Sequence, residues 1–275
     1  MDQLSKKQQN PQEEERVLDN KRKRISYSEL KIWSECSFRH KLAYIDQLSN
    51  YVGNEYTAFG TAIHGVCENI VPDNSIDGFK VFKEAFGSEL RSLDRSTLNK
   101  DLVVEMLGQS EKIIPNILPA LSSHFGNYSI VSVEEGLYET INDFETNINF
   151  KGFIDLVIKT DDGVYHIIDW KSCSWGWKAQ KKSEALIVYQ LSLYKKFFAE
   201  KHDIDPDNIE THFALLKRTA SKNNVEIFRV SNGKKRIDNA VQLLKKAIFN
   251  IKSKNFVKNR LSCRYCEFKD TAHCP

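Results

Sequence analysis

Apolar positions along the chain change period four times, and each change marks a new group of elements. Leu30 and Trp33 open a helical stripe after Ser26, whose hydroxyl and the following Glu29 form a capping-box pattern. Phe38, Leu42 and Ile45 continue it on a second short helix, with Cys36 between the two. Ile63, Val66 and Ile70 define one face of a further helix entered at Gly60, while His64 and Glu68 share a separate polar face. Phe79, Phe82, Phe86 and Leu90 predict an amphipathic helix over 77–92 with Asp77 as N-cap, and 101–124 reads as helix interrupted at Pro115 and Pro119. The period then falls to two. Segments 129–140, 147–159 and 164–170 are rich in Val, Ile, Phe and Tyr and read as strands. Helix returns over 184–200, strands over 211–218 and 224–230, and a long helix over 232–252. The pattern predicts a single α/β domain over 25–275 with a helical insertion at about 66–128.

Composition narrows the possibilities. No apolar run approaches the ~18 residues of a membrane span, and the first residues lack the apolar core of a signal peptide, so an intracellular, reducing setting without a membrane partner is expected. Residues 1–24 are almost devoid of apolar side chains and read as a disordered polar tail, in which Lys21–Arg24 is a solvated basic stretch. Forty Lys and Arg against 37 Asp and Glu leave a net charge of +3, which neither requires nor excludes a nucleic-acid partner. Six cysteines in a chain of this length point to reduced thiols or metal ligands more than to a disulfide scaffold.

The candidate chemistry is concentrated in residues 151–172. Asp161-Asp162-Gly163 reads as a three-residue hairpin loop, and the register it sets places Asp155 opposite Asp169, with Lys171 on the same face. Opposed side chains on one face stand ~4.5–5.5 Å apart, where two carboxylates repel unless a cation lies between them. Oxygen ligands of this kind suit Mg²⁺ or Mn²⁺ better than Zn²⁺. A surface Asp–Lys ion pair is the plainer alternative, but both acids interrupt apolar strands, where an unpaired buried charge is costly.

In sequence order, Gly60-x-x-x-His64 with Glu68, Gly152-x-x-Asp155, Asp169-x-Lys171 and Gln190-x-x-x-Tyr194 resemble the RecB-like branch of the PD-(D/E)XK nucleases. The opening segment ISYSELKIWSECSFRHKLAYI is similar to that branch's N-terminal helix and first cysteine, so the resemblance spans about residues 25–275. It implies a restriction-endonuclease-like mixed β-sheet flanked by helices, and a metal-dependent DNA nuclease. It also implies that Asp155, Asp169, His64 and the Trp170 carbonyl ligate the catalytic metal, that Lys171 orients the attacking water, and that Gln190 and Tyr194 lie beside the site. For Tyr194 a purely structural aromatic role stands as the alternative. The family's acid on the preceding strand corresponds to Glu134 or Glu135, of which Glu134 is preferred.

Two further segments carry chemistry. Trp175 and Trp177 interleave with Lys178, Lys181 and Lys182, the combination of stacking surface and cations that binds single-stranded DNA, with at least one Trp expected to serve as core packing. Cys263-x-x-Cys266 and Cys274 form a ligand pattern lacking a fourth thiolate. The resemblance supplies Cys36 and implies a [4Fe–4S] cluster, as in the AddB-type and CRISPR-associated RecB-like exonucleases; a structural zinc on these cysteines, or with His273 replacing one, is the alternative. Cys67 and Cys173 match no motif, and His40, His124, His166, His202 and His212 receive only packing or surface roles. The reading is thus a single-strand DNA exonuclease; a non-catalytic DNA-binding or assembly subunit, or an endonuclease, are the other candidates.

Overall fold

The computed structural model of the protein describes residues 24–48, 53–141 and 148–275. The polar tail expected over 1–24 therefore lies outside the described residues, apart from Arg24. That residue begins a short strand, β1 (Arg24–Ser26), which the sequence pattern did not predict. Helices α1 (Tyr27–Glu35) and α2 (Ser37–His40) follow, the Ser26 hydroxyl accepting the Glu29 N–H at 3.2 Å. Four helices come next: α3 (Glu55–Ile70), α4 (Gly78–Ser92), α5 (Lys100–Ile113) and α6 (Ile117–Phe125). Asp77 caps α4 by accepting the Phe79 and Lys80 N–H groups. Pro115 separates α5 from α6, whereas Pro119 sits in the first turn of α6, where its missing N–H costs nothing.

Strands β2 (Tyr128–Thr140), β3 (Asn149–Thr160) and β4 (Tyr165–Cys173), helices α7 (Ala179–Lys182) and α8 (Ala185–His202), strands β5 (Ile209–Lys217) and β6 (Val225–Val230), and helix α9 (Lys234–Lys252) complete the chain to the cysteine-rich tail. The six strands form one mixed sheet. β2–β3, β3–β4 and β5–β6 are antiparallel, whereas β1–β3 and β4–β5 are parallel. The β3–β4 turn forms as read from the sequence: Gly163 takes φ +87°, and its N–H donates to Thr160 O at 2.9 Å.

Alternation along the strands sends side chains into two cores. On one face, Ile167, Phe213 and Leu215 pack with Leu30 of α1 and Leu191, Phe197 and Phe198 of α8. On the other, Leu156, Ile158, Ile168 and Trp170 pack with Phe59 and Ile63 of α3 and with Phe82, Phe86 and Leu121. Burial of both faces explains why these strands read as nearly continuous apolar runs. The helices expected as an insertion form the layer over the second face. None of the described helices is long and apolar enough to cross a membrane.

Candidate active site

Strand β3 is paired on one edge by β2 from end to end except at Asp155. On its other edge it meets β1 at 149–151 and β4 at 156–159, so Gly152–Asp155 lies in the fork between those two partners. The observed register of Leu156 with Ile168 is the one the hairpin predicts, and one step further it would oppose Asp155 and Asp169. There the ladder opens, and the Asp155 carboxylate replaces it by accepting the Trp170 backbone N–H at 2.7 Å. A strand pair that splays at an acid gives that acid a position inside the fold together with an opening beside it.

Asp169 is 1% exposed, and its Oδ1 accepts the Gln190 Nε2–H at 2.7 Å. The same Nε2 lies 3.1 Å from Tyr194 Oη, so the i, i+4 pair on α8 acts as one bracket on the acid. The other oxygen, Oδ2, is buried and ion-paired with Lys171 Nζ at 2.5 Å, with no further partner among the described residues. Gly152 is what admits Tyr194: a Cβ there would sit 2.8 Å from Tyr194 Cε1 and 3.1 Å from Phe150 Cε1.

His64 on α3 approaches from the second face, with Nδ1 3.8 Å from Asp155 Oδ2. Burial holds the imidazole below its usual pKa, which keeps it in the neutral, ligating form at neutral pH. Asp155 is displaced the other way. Burial, and then the Asp169 charge, push its carboxyl well above the usual range, so the pair resists double ionisation until a cation intervenes.

Structure separates the two acids that sequence left open. Glu134 takes φ +52°, a left-handed backbone that costs a non-glycine residue ~1–3 kcal/mol, and interrupts the β2–β3 ladder between Val133–Leu156 and Glu135–Ile154. Its pKa is raised by burial, by Glu68 and by Asp169, which places it at the acidic centre. Glu135 turns away to Lys201 and His202, at 2.6 and 2.9 Å. Glu68, to which the sequence reading gave no role, lies close enough to Glu134 for its charge to help raise that acid's pKa. Its signal was present: it lies one turn from His64 on the same helix face.

The tryptophans divide. Trp177 packs against Phe213 and Phe228 with ring centroids 5.1 and 6.3 Å apart, whereas Trp175 is 74% exposed. Lys178 and Lys181 are exposed, and Lys181 Nζ lies 4.7 Å from the Trp177 ring centre. Lys182 is instead engaged by Glu226 and the Phe228 ring, so it is not available to a phosphate as it stands.

Cys36, Cys263, Cys266 and Cys274 line one cavity of about 220 Å³. The tail is fastened there by Asn259 Nδ2 to Glu35 O at 2.8 Å and by the Arg39–Glu267 pair at 2.7 Å. Cys36 Sγ accepts N–H groups from Arg39 and Asn259 at 3.4 and 3.3 Å. Yet the sulfurs do not close on a point. Among the described residues, three His, Cys, Asp or Glu donors come within 4.8 Å of one another only at His166, Glu210 and His212. Thiolates on one zinc would stand ~3.8 Å apart, given a Zn–S bond near 2.3 Å. His166 and His212, for which packing roles were expected, pack against Phe125 and also converge with Glu210 there. Around Asp155, too, no three such donors among the described residues lie within 4.8 Å of one another, although His64 Nδ1 stands 3.8 Å from Asp155 Oδ2.

Residues 24–274 match the model of the PD-(D/E)XK nuclease superfamily. The chain belongs to that superfamily, whose members are metal-dependent nucleases. Among solved structures it is similar to a candidate exonuclease from Eubacterium rectale, with 13% identity and a TM-score of 0.57 over 97% of this chain and 92% of that one. It also matches the structure of SSO0001, with 15% identity and a TM-score of 0.37 over 84% of this chain and 92% of that one. The first likeness speaks for the fold alone, a restriction-endonuclease-like mixed sheet between helices, and the second is too distant to carry an argument. No curated protein matches the sequence.

Proposed function

We propose that the protein is an Mg²⁺- or Mn²⁺-dependent deoxyribonuclease that degrades single-stranded DNA from its ends. The observation that carries this reading is the buried Asp169 Oδ2, which is ion-paired with the Lys171 ammonium and has no further partner at the fork that also holds Asp155. An anionic oxygen so placed fits a divalent ion, with Asp155, Asp169, His64 and the Trp170 carbonyl as its ligands and Glu134 as a further acid. When bound, such an ion supplies positive charge against the phosphoryl oxygens. Lys171 then orients the attacking water and offsets charge that develops on the phosphate. Gln190 and Tyr194 hold Asp169 in place, and Trp175 offers a base-stacking surface with Lys178 and Lys181 beside it.

The iron–sulfur reading belongs to the same proposal. The shared cavity and the N–H groups donated to Cys36 Sγ fit a thiolate-bound [4Fe–4S] cluster, whose ligands sit on separate irons, better than a single tetrahedral zinc. It would tie α1 and α2 to the C-terminus across most of the chain.

The test is cleavage of end-labelled oligonucleotides and circular single strands by wild type, Asp169→Asn and Lys171→Ala, with Mg²⁺, Mn²⁺ or EDTA. Metal-dependent loss of linear single strands, abolished in both variants, is the expected result. Full activity in either variant overturns the site assignment; cleaved circles convert the reading to an endonuclease; a wild type with no turnover makes the chain a DNA-binding scaffold.

A further inference from the structure

A second cluster of ligating side chains lies on the other face of β4, three residues from Asp169. His166 of β4 is paired across the parallel ladder with Glu210 of β5, and His212 follows two residues on, so all three side chains point to the face covered by α6. His166 Nδ1 and His212 Nε2 are 3.1 Å apart. Glu210 Oε2 stands 3.8 Å from the first and 3.7 Å from the second, too far for hydrogen bonds to either ring. A point equidistant from these three atoms lies ~2.1 Å from each, the length of a Zn–N or Zn–O bond.

The surroundings fix His166 and Glu210 in ligating form. Thr160 Oγ1 donates to Asp162 Oδ1 at 2.5 Å, so at 3.0 Å from His166 Nε2 it accepts that ring's proton and leaves a lone pair on Nδ1. Arg229 holds the other Glu210 oxygen at 2.9 Å, which orients the carboxylate. Burial lowers the pKa of both imidazoles, that of His212 to about 3, so neither is protonated at neutral pH. Beside the cluster opens a cavity of about 410 Å³, and the His124 ring stands 5.4 Å from that of His212.

We propose that His166, His212 and Glu210 form a binding site for a zinc-class transition ion, separate from the acidic fork on the opposite face. Two imidazoles and one carboxylate select such an ion over Mg²⁺, which prefers an all-oxygen octahedron. Three protein ligands leave a coordination position open towards the cavity, for water or for His124. The ion fastens the turn end of the β3–β4 hairpin to the start of β5.

The test uses full-length protein stripped with EDTA, equilibrated with Zn²⁺ and dialysed, with zinc counted per chain and unfolding temperature measured with and without the ion. Wild type should hold one zinc more than Glu210→Gln and His166→Gln, and both variants should bind zinc at least ~10–100-fold more weakly, the loss that even an outer-shell partner causes. The zinc-dependent rise in unfolding temperature should persist in Cys263→Ser and in Asp155→Asn, which separates this site from the cysteines and from the proposed nuclease centre. Should His166→Gln not fold, Glu210→Gln decides alone, since it exchanges one oxygen of a partly exposed side chain for an amide. An anomalous zinc peak among the three side chains supports the site. Equal zinc content and equal thermal response in wild type and Glu210→Gln overturn it, and the pair is then a hydrogen bond between neutral histidines.

Discussion

Replacing Gly152 by alanine tests the bracket on Asp169 without touching a charged group. The added methyl would lie 2.8 Å from Tyr194 Cε1 and 3.1 Å from Phe150 Cε1, where carbon atoms at rest stand ~3.5–4.0 Å apart. Neither ring has room to retreat: Phe150 stacks on Phe197 with centroids 4.6 Å apart, and Tyr194 is 6% exposed. Overpacking of this kind costs ~1–3 kcal/mol. In a domain of this size that lowers the unfolding temperature by roughly 2–10 °C. Tyr194 would have to move by nearly an ångström and draw Gln190 from Asp169, and a misplacement of ~1 Å in an active site costs on the order of 100-fold in rate. Thermal unfolding and metal-dependent DNA cleavage measure the two effects. Gly152→Ala combined with Tyr194→Leu, which removes the clashing ring edge, should recover much of the stability but not the activity. A single Gly152→Ala variant with wild-type unfolding temperature and turnover would refute the argument.

Asp155→Asn should stabilise the protein in EDTA at neutral pH. The folded state holds the Asp155 proton more tightly than the unfolded chain, whose carboxyl titrates near ~3.9, so the metal-free wild type loses stability as pH rises from there through the raised folded value. The gap in unfolding temperature between variant and wild type should therefore widen with pH; a gap independent of pH would contradict the charge repulsion. Trp175→Ala should weaken binding of a single-stranded oligonucleotide by the ~1–3 kcal/mol of one stacked base with unfolding unchanged, whereas Trp177→Ala should chiefly destabilise. Fluorescence titration and thermal unfolding separate these outcomes, and identical effects of the two would deny the division between surface and core. Anaerobically purified protein should be brown with iron and sulfide, and Cys36→Ser should bleach it; a colourless protein whose cysteines hold zinc would exclude the cluster.

Local chemistry made much of this molecule legible in the sequence. The Asp-Asp-Gly turn fixes one register, and with a side-chain period of two that register alone brings Asp155 and Asp169 together. The amphipathic stripes likewise gave α4 and α9 to within two residues, because each helix buries a face at its own spacing. What tertiary structure decided are relations between residues far apart in the chain. β1 has three residues and no periodicity of its own; it is a strand because β3 offers an edge. Glu134 and Glu135 are equivalent in pattern, and only the left-handed turn of the backbone at Glu134 sends one to the acids and the other to Lys201. His166 and His212 look like ordinary strand residues until the parallel β4–β5 pairing aligns them with Glu210. Periodicity reports which face a side chain takes, but the distance between two elements is set by packing that no single segment encodes.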